Sequence, residues 1–184
     1  GTDHVDEVYL HERGLGFASA AGSNANSVAE YVIAAMLEIS HRNHYRLRDK
    51  TLGVVGVGNV GSRVVRYAEA LGMRVLQNDP PRQRAEKLSD FVSLDQLLAE
   101  ADIITLHVPL TRVAQASSLC APEINRQDAC STLSEDATHH LFDAARLAAV
   151  ELRKPGLING ARGAVVDNRA LLKAIDGEKL GATV

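Results

Sequence analysis

The residues with the clearest chemical purpose lie in one short string. Val54-Val-Gly56-Val-Gly58-Asn-Val-Gly61 carries glycines at the spacing GxGxxG. At that spacing the first glycine permits a tight turn. The second lets backbone approach a pyrophosphate, and the third lets a helix pack close to a strand. The N–H groups opening the following helix would face the anion. Asp79 lies 18 residues past Gly61. An acid there, at the end of the next strand, accepts hydrogen bonds from ribose hydroxyls. It favours NAD over NADP, because a 2′-phosphate would meet like charge, and Arg82 and Arg84 pull the other way. A structural glycine turn with an incidental Asp is the alternative, and the strand-turn-helix context argues against it.

Other residue types with chemical potential carry less. His107 ends an expected strand on the cofactor side and could act as a base. His139 and His140 could form a metal pair, but adjacent side chains point apart on regular elements. No carboxylate or cysteine spacing completes such a site, so no metal is expected. Cys120 and Cys130 could pair, bind metal or sense redox state. Two free thiols of a cytoplasmic protein is the simpler expectation.

The elements that must position these residues follow from pattern. Helices are expected over Val5–Glu12 and from Ser27, where Ser27-Val-Ala-Glu30 reads as a capping box, to about His44. Leu15–Ser19 is a short strand candidate. Strands are expected at Thr51–Gly56, Met73–Asn78, Asp102–His107 and Leu157–Gly160. Helices are expected at Asn59–Leu71, Leu94–Glu100, Asp143–Leu152 and Asp167–Ile175. Asp79-Pro-Pro-Arg82 reads as a break. Strands alternating with helices mean a parallel sheet covered on both faces, a Rossmann-type doubly wound α/β fold.

The chain has 184 residues, enough for one domain and a fraction, and 46% are hydrophobic, enough for a core. Net charge is −3, which argues against a nucleic-acid or anionic-membrane binder. No apolar run of ~18 residues exists to span a membrane. The chain opens at Gly1 and closes on Gly-Ala-Thr-Val, a strand just starting. A fragment is therefore expected, with a sheet incomplete at its C-terminal edge.

Strings along nearly the whole chain resemble the D-isomer-specific 2-hydroxyacid dehydrogenase family. They are Gly1-Thr-Asp-His-Val-Asp6, Asn24 through Glu30-Tyr31, the glycine turn, Leu106-His107-Val-Pro-Leu-Thr111 and Ile158-Asn-Gly-Ala-Arg162-Gly-Ala-Val-Val-Asp167. The resemblance implies hydride transfer between NAD and the 2-carbon of a 2-hydroxy acid. Gly56-Val-Gly-Asn-Val-Gly-Ser-Arg63 with Asn78-Asp-Pro-Pro-Arg82 points to a branch that oxidises 4-phospho-D-erythronate on the way to pyridoxal phosphate. Phosphoglycerate or glyoxylate/hydroxypyruvate chemistry, and a non-catalytic NAD-binding module, stay open beside it.

The resemblance also implies roles for single residues. Arg162 matches the arginine that holds the substrate carboxylate, a task that suits a permanently charged planar fork. A surface arginine in a turn is the alternative. Asn59 and Val60 match turn residues at the pyrophosphate, and Gly160 and Ala161 match backbone near the nicotinamide. Val108 stands where the branch often has Thr. His107 becomes a structural or cofactor-wall residue. The family's carboxylate and histidine of the proton step fall in stretches beyond Val184, and neither Asp167 nor Glu178 lies in that motif. The chain alone is therefore expected to be inactive. Residues 1–24 correspond to a remnant of the substrate domain and hinge, and 25–184 to a truncated NAD-binding domain. The long helix matches the family's dimer helix, so the intact protein is expected to be a cytoplasmic homodimer. Two departures stand out. Thr111 and Thr138 are separated by 26 residues where the family has a few, so 113–135 reads as a loop insertion. The stretch Glu151–Leu157 also reads as shifted.

Overall fold

The computed structural model describes residues 2, 5–86, 90–111, 137–150 and 154–184. The expected insertion at 113–135, with Cys120 and Cys130, lies outside the described residues, as do His4 and the start of the shifted stretch at 151–153.

Five strands form one parallel sheet: β1 (Thr51–Val55), β2 (Arg74–Asn78), β3 (Ile103–Leu106), β4 (Gly156–Asn159) and β5 (Ala182–Thr183). Their spatial order is β2-β1-β3-β4-β5, and every pair is parallel. A single parallel bridge from Gln77 to Phe91 extends the sheet beyond β2. The chain thus leaves β1 to one side and returns to the other side through β3. That reversal is a topological switch point, where ligands of such sheets sit outside the carboxyl ends of the strands.

Helices cover both faces because the strands are apolar on both. Leu52, Val54, Ile103 and Ile158 point into a core closed by Val32 and Met36 of α2 (Ala25–Arg42) and Val64 of α3 (Gly61–Ala70). The alternate residues Val55, Ile104, Leu106 and Leu157 point the other way. They pack with Leu97 and Leu98 of α5 (Leu94–Glu100), Leu147 of α6 (Ala144–Ala149) and Ala170 of α7 (Asn168–Asp176). Near-continuous apolar runs are what a sheet buried on both faces requires.

Local chemistry sets the helix starts. Ser93, Asp143 and Asp167 each accept a backbone N–H of the first turn. Two backbone bonds, from Ala170 first and also from Arg169, hold the Asp167 carboxyl below its ordinary pKa. The short helix α1 (Glu7–Glu12) is capped by Asp6 and buries none of its residues.

Three local expectations are corrected. The string Ser27-Val-Ala-Glu30 is not a capping box, because the helix already begins at Ala25 after Asn24. Glu30 instead accepts from Asn26 Nδ2 at 2.9 Å. Asp79-Pro-Pro-Arg82 does not break the chain; it opens α4 (Pro80–Glu86). Asp79 Oδ1 accepts the Arg82 N–H at 3.0 Å, and proline suits a first helical turn, where its missing N–H costs nothing. Leu15–Ser19 is not a strand: no described strand pairs with it, and Leu15 and Phe17 are exposed.

Candidate nucleotide-binding site

The glycine turn leaves β1 and enters α3 at the switch point. Gly56 has φ +88°, and a Cβ there would lie 2.8 Å from the His107 carbonyl carbon, so only glycine lets the β1 and β3 ends come together. A Cβ on Gly61 would sit 2.0 Å from the Gly56 carbonyl oxygen, so α3 starts against the turn itself. Among the described residues a Cβ on Gly58 would meet nothing within 4 Å. The middle glycine therefore is not needed for packing within the chain. Its bare backbone faces open space, which is the feature an approaching pyrophosphate uses.

A cavity of about 500 Å³ opens beside this turn. Gly56, Gly58, Asp79, His107 and Val108 line it, and Pro80, Pro81, Val92 and Leu94 give it an apolar half. A mostly apolar cleft with a few polar groups suits a base and ribose. Open backbone at Gly58, a carboxylate at Asp79 and apolar walls together fit a dinucleotide.

Asp79 is more engaged than a ribose ligand alone would be. Its Oδ2 accepts the Val57 N–H at 2.7 Å, while Oδ1 caps α4. The same turn residue is gripped from the other side, for Arg82 Nη1 donates to the Val57 carbonyl at 2.7 Å. Arg82 Nε donates to Glu86 at 2.7 Å, and this bond is the first cause of a guanidinium pKa raised above its ordinary value. The arginine also lies over the Phe91 ring, 6.0 Å from its centroid. Asn78, to which the sequence assigns no role of its own, is buried and donates from Nδ2 to the Val92 carbonyl at 2.8 Å, fixing the wall next to Asp79.

His107 sits between the glycine turn and the end of β4. Its Nε2 is 2.9 Å from Thr105 Oγ1, and its Nδ1 is buried without a hydrogen-bond partner among the described residues. Burial lowers its pKa to about 4, so the ring is neutral at pH 7. A Cβ on Gly160 would lie 2.7 Å from the ring's Cε1, so the glycine admits the imidazole edge. Beyond it, Asn159 ties a short loop: Oδ1 accepts the Ala161 N–H at 3.1 Å, and Nδ2 donates to the Arg162 carbonyl at 3.0 Å. Arg162 is thereby presented at the carboxyl end of β4, half-buried, with Nη1 donating to the Ala161 carbonyl at 3.3 Å.

Seven of the ten expected site residues fall into two groups. Gly56, Gly58, Asp79 and Val108 line the cavity. Gly160, Ala161 and Arg162 form the neighbouring loop, joined to the cavity through His107. Gly61 is internal to the turn. Exposed Asn59 accepts from Arg63 through its carbonyl, and Val60 caps α3 while its side chain packs on the core. At the far end Thr138 and Thr111 bind each other, with the Thr111 N–H to Thr138 Oγ1 at 2.7 Å and the Thr138 N–H to the Thr111 carbonyl at 3.0 Å. The histidines expected to point apart stack instead, with centroids 4.0 Å apart. They occupy a turn, where His140 has φ +53°, and not a regular element.

Comparison with known proteins agrees with this geometry. Residues 20–117 and 129–184 match the model of the D-isomer-specific 2-hydroxyacid dehydrogenase NAD-binding domain. Erythronate-4-phosphate dehydrogenase of Serratia proteamaculans is 44% identical over all of this chain, which covers 44% of that protein. The Salinibacter ruber enzyme of the same name is 47% identical over 95% of the chain and 40% of its own length. The chain therefore spans less than half of these relatives. Among solved structures, D-lactate dehydrogenase of Aquifex aeolicus, complexed with NAD and lactic acid, is 32% identical with a TM-score of 0.71. The formate dehydrogenase of Staphylococcus aureus, complexed with NAD, is 30% identical with a TM-score of 0.72. All of this chain and 54% of each of those chains are covered. With a matching family model over most of its length and a glycine turn at the switch point, the chain belongs to the D-isomer-specific 2-hydroxyacid dehydrogenases, as their NAD-binding domain.

Proposed function

We propose that the protein carrying this chain oxidises 4-phospho-D-erythronate, using NAD, in pyridoxal phosphate biosynthesis. The observation that carries this reading is the Arg162 loop packed, through Gly160 and His107, on the wall of the nucleotide cavity. The names of the relatives with 44% and 47% identity support the phosphorylated four-carbon acid as the substrate.

When bound, NAD supplies the nicotinamide carbon that takes the hydride. The chain's own residues then have separate tasks. Gly56, Gly58 and Gly61 shape the turn, and Asn59 and Val60 bring backbone to the pyrophosphate. Asp79 accepts from the adenosine ribose. Val108 forms wall without the side-chain hydrogen bond that Thr would offer. Gly160 and Ala161 lie on the nicotinamide side, and Arg162 binds the substrate carboxylate with two parallel N–H groups.

Residues 1–24 belong, in this reading, to the substrate-domain side. Exposed Val8, Tyr9, Leu15 and Phe17 support that placement, since nothing described covers them. A homodimer is supported by Tyr31 and Leu37, which leave apolar surface on the outer side of α2. The soluble phosphorylated substrate fits a cytoplasmic enzyme. Among the described residues no helix is long and apolar enough to cross a membrane.

The test is NADH formation from 4-phospho-D-erythronate by the full-length protein, with Arg162→Gln beside it. The variant is expected to lose kcat/KM by ~100-fold or more while binding NADH as before. Turnover within a few-fold of the unaltered protein would remove Arg162 from this role. Turnover of phosphoglycerate or hydroxypyruvate in place of the erythronate would move the substrate assignment to another branch.

A further inference from the structure

We propose that Arg82 is a latent ligand for a 2′-phosphate on the adenosine ribose, held out of that role by Asp79 and Glu86. The inference deepens the dinucleotide reading of the cavity and rests on it. Choice of NAD over NADP would then depend on three residues and not on the Asp79 charge alone.

Val57 is held from two sides. Asp79 holds its N–H and Arg82 holds its carbonyl, both at 2.7 Å. The carboxylate and the guanidinium therefore hold the two peptide groups that flank Val57 in the glycine turn, on the side where the adenosine ribose of a turn-bound dinucleotide lies. A nearby arginine at that edge is the group that accommodates a 2′-phosphate, and a guanidinium fork matches phosphate oxygens bidentately. Arg82 has the right charge and place, yet two of its three nitrogens are already engaged. Nη1 is on Val57 and Nε on Glu86. Asp79 adds like charge against a phosphate. Two carboxylates thus neutralise one arginine, and the edge as a whole repels an additional anion. The Arg82–Glu86 pair is partly exposed, with side chains 36% and 45% accessible, so its geometry can exchange without disturbing the core.

The test measures NADH and NADPH affinity by fluorescence titration of the full-length protein. Unaltered protein should favour NADH. Asp79→Asn should raise NADPH affinity about tenfold or more and lower NADH affinity. Asp79→Asn with Arg82→Gln should lose that NADPH gain, whereas Asp79→Asn with Arg84→Gln should keep it. Glu86→Gln touches neither Asp79 nor the turn; it should raise NADPH affinity by roughly threefold with NADH affinity unchanged, and so reads the idea independently of the Asp79 cap on α4. An Asp79→Asn gain that survives loss of Arg82, or no effect of Glu86→Gln on NADPH, would overturn the inference while leaving the dinucleotide site in place. Failure of the unaltered protein to bind NADH would overturn both.

Discussion

At the residue scale, His107 shows how place changes what a side chain can do. From its position alone it reads as a possible base. In the fold its ring is wedged against Gly160, Nδ1 has no partner among the described residues and the pKa falls to about 4. A base with that pKa is neutral at pH 7 and a poor acceptor for a substrate proton. It has a thermodynamic consequence. The unfolded chain, with an ordinary value of 6.5, binds the proton before the native chain does, so native stability falls as pH drops from about 6.5 through about 4. For a largely buried ring the loss between pH 7 and pH 4 is about 3 kcal/mol. Urea unfolding of the full-length protein across that range should show this slope, and His107→Asn should flatten it. An unchanged slope in the variant would mean another group titrates. Residue identity in the motifs was legible in the sequence, down to Arg162 and Asp79. Partnership was not: the double use of Asp79, on Val57 and on Arg82, depends on α4, which the Pro-Pro pair disguises as a break.

At the element scale, strands and helices that bury a regular apolar stripe were readable to within a few residues. Leu94–Glu100 coincides with its expected span, and β1 and β2 differ at one end only. The errors fell where local signals compete. Ser27 and Glu30 have capping spacing, yet burial of Ala25 and Ala29 draws the helix start forward to Ala25. Leu15–Ser19 has strand-like alternation but no partner among the described residues, and alternation without a neighbouring edge does not make a strand. The glycine turn makes a sharper statement, because its glycines serve different ends. Gly61→Ala drives a methyl into the Gly56 carbonyl at 2.0 Å, so α3 must lift from β1. It should lower the thermal midpoint by several degrees, on the order of 2 kcal/mol or more, and abolish NADH binding. Gly58→Ala adds a methyl to open space. Its thermal midpoint should stay within about 2 °C while NADH affinity falls tenfold or more. Thermal melts and NADH titration of both variants separate packing from binding. Equal loss of stability in the two would refute the division of labour.

At the scale of the whole molecule, two cores on opposite faces of one sheet account for the fold, and neither reaches the N-terminal segment. α1 buries no residue, and Val8, Tyr9, Leu15 and Phe17 stay 45–69% exposed. Tyr31 and Leu37 of α2 are 61% and 49% exposed, although the other side of the same helix is packed tightly through Val32 and Met36. α2 is thus packed on one side and mixed on the other, where Tyr31 and Leu37 stand among Glu30, Glu38 and Arg42, so in the dimer reading it has two partners. The sheet supplies one, and the proposed homodimer supplies the other. Tyr31 and Leu37 lie outside the lining of the cavity, so both can be replaced without touching the nucleotide site. Sedimentation of the full-length protein should give a dimer. Tyr31→Glu with Leu37→Glu should shift it toward monomer by placing charges in an interface core, with a cost of several kcal/mol of association free energy. NADH affinity of the same variant should hold within about twofold, since a fold with its sheet core intact keeps its glycine turn. A variant that stays dimeric at micromolar concentration would show that the outer side of α2 faces solvent or another domain of its own chain, and the two-partner reading of this helix would fail.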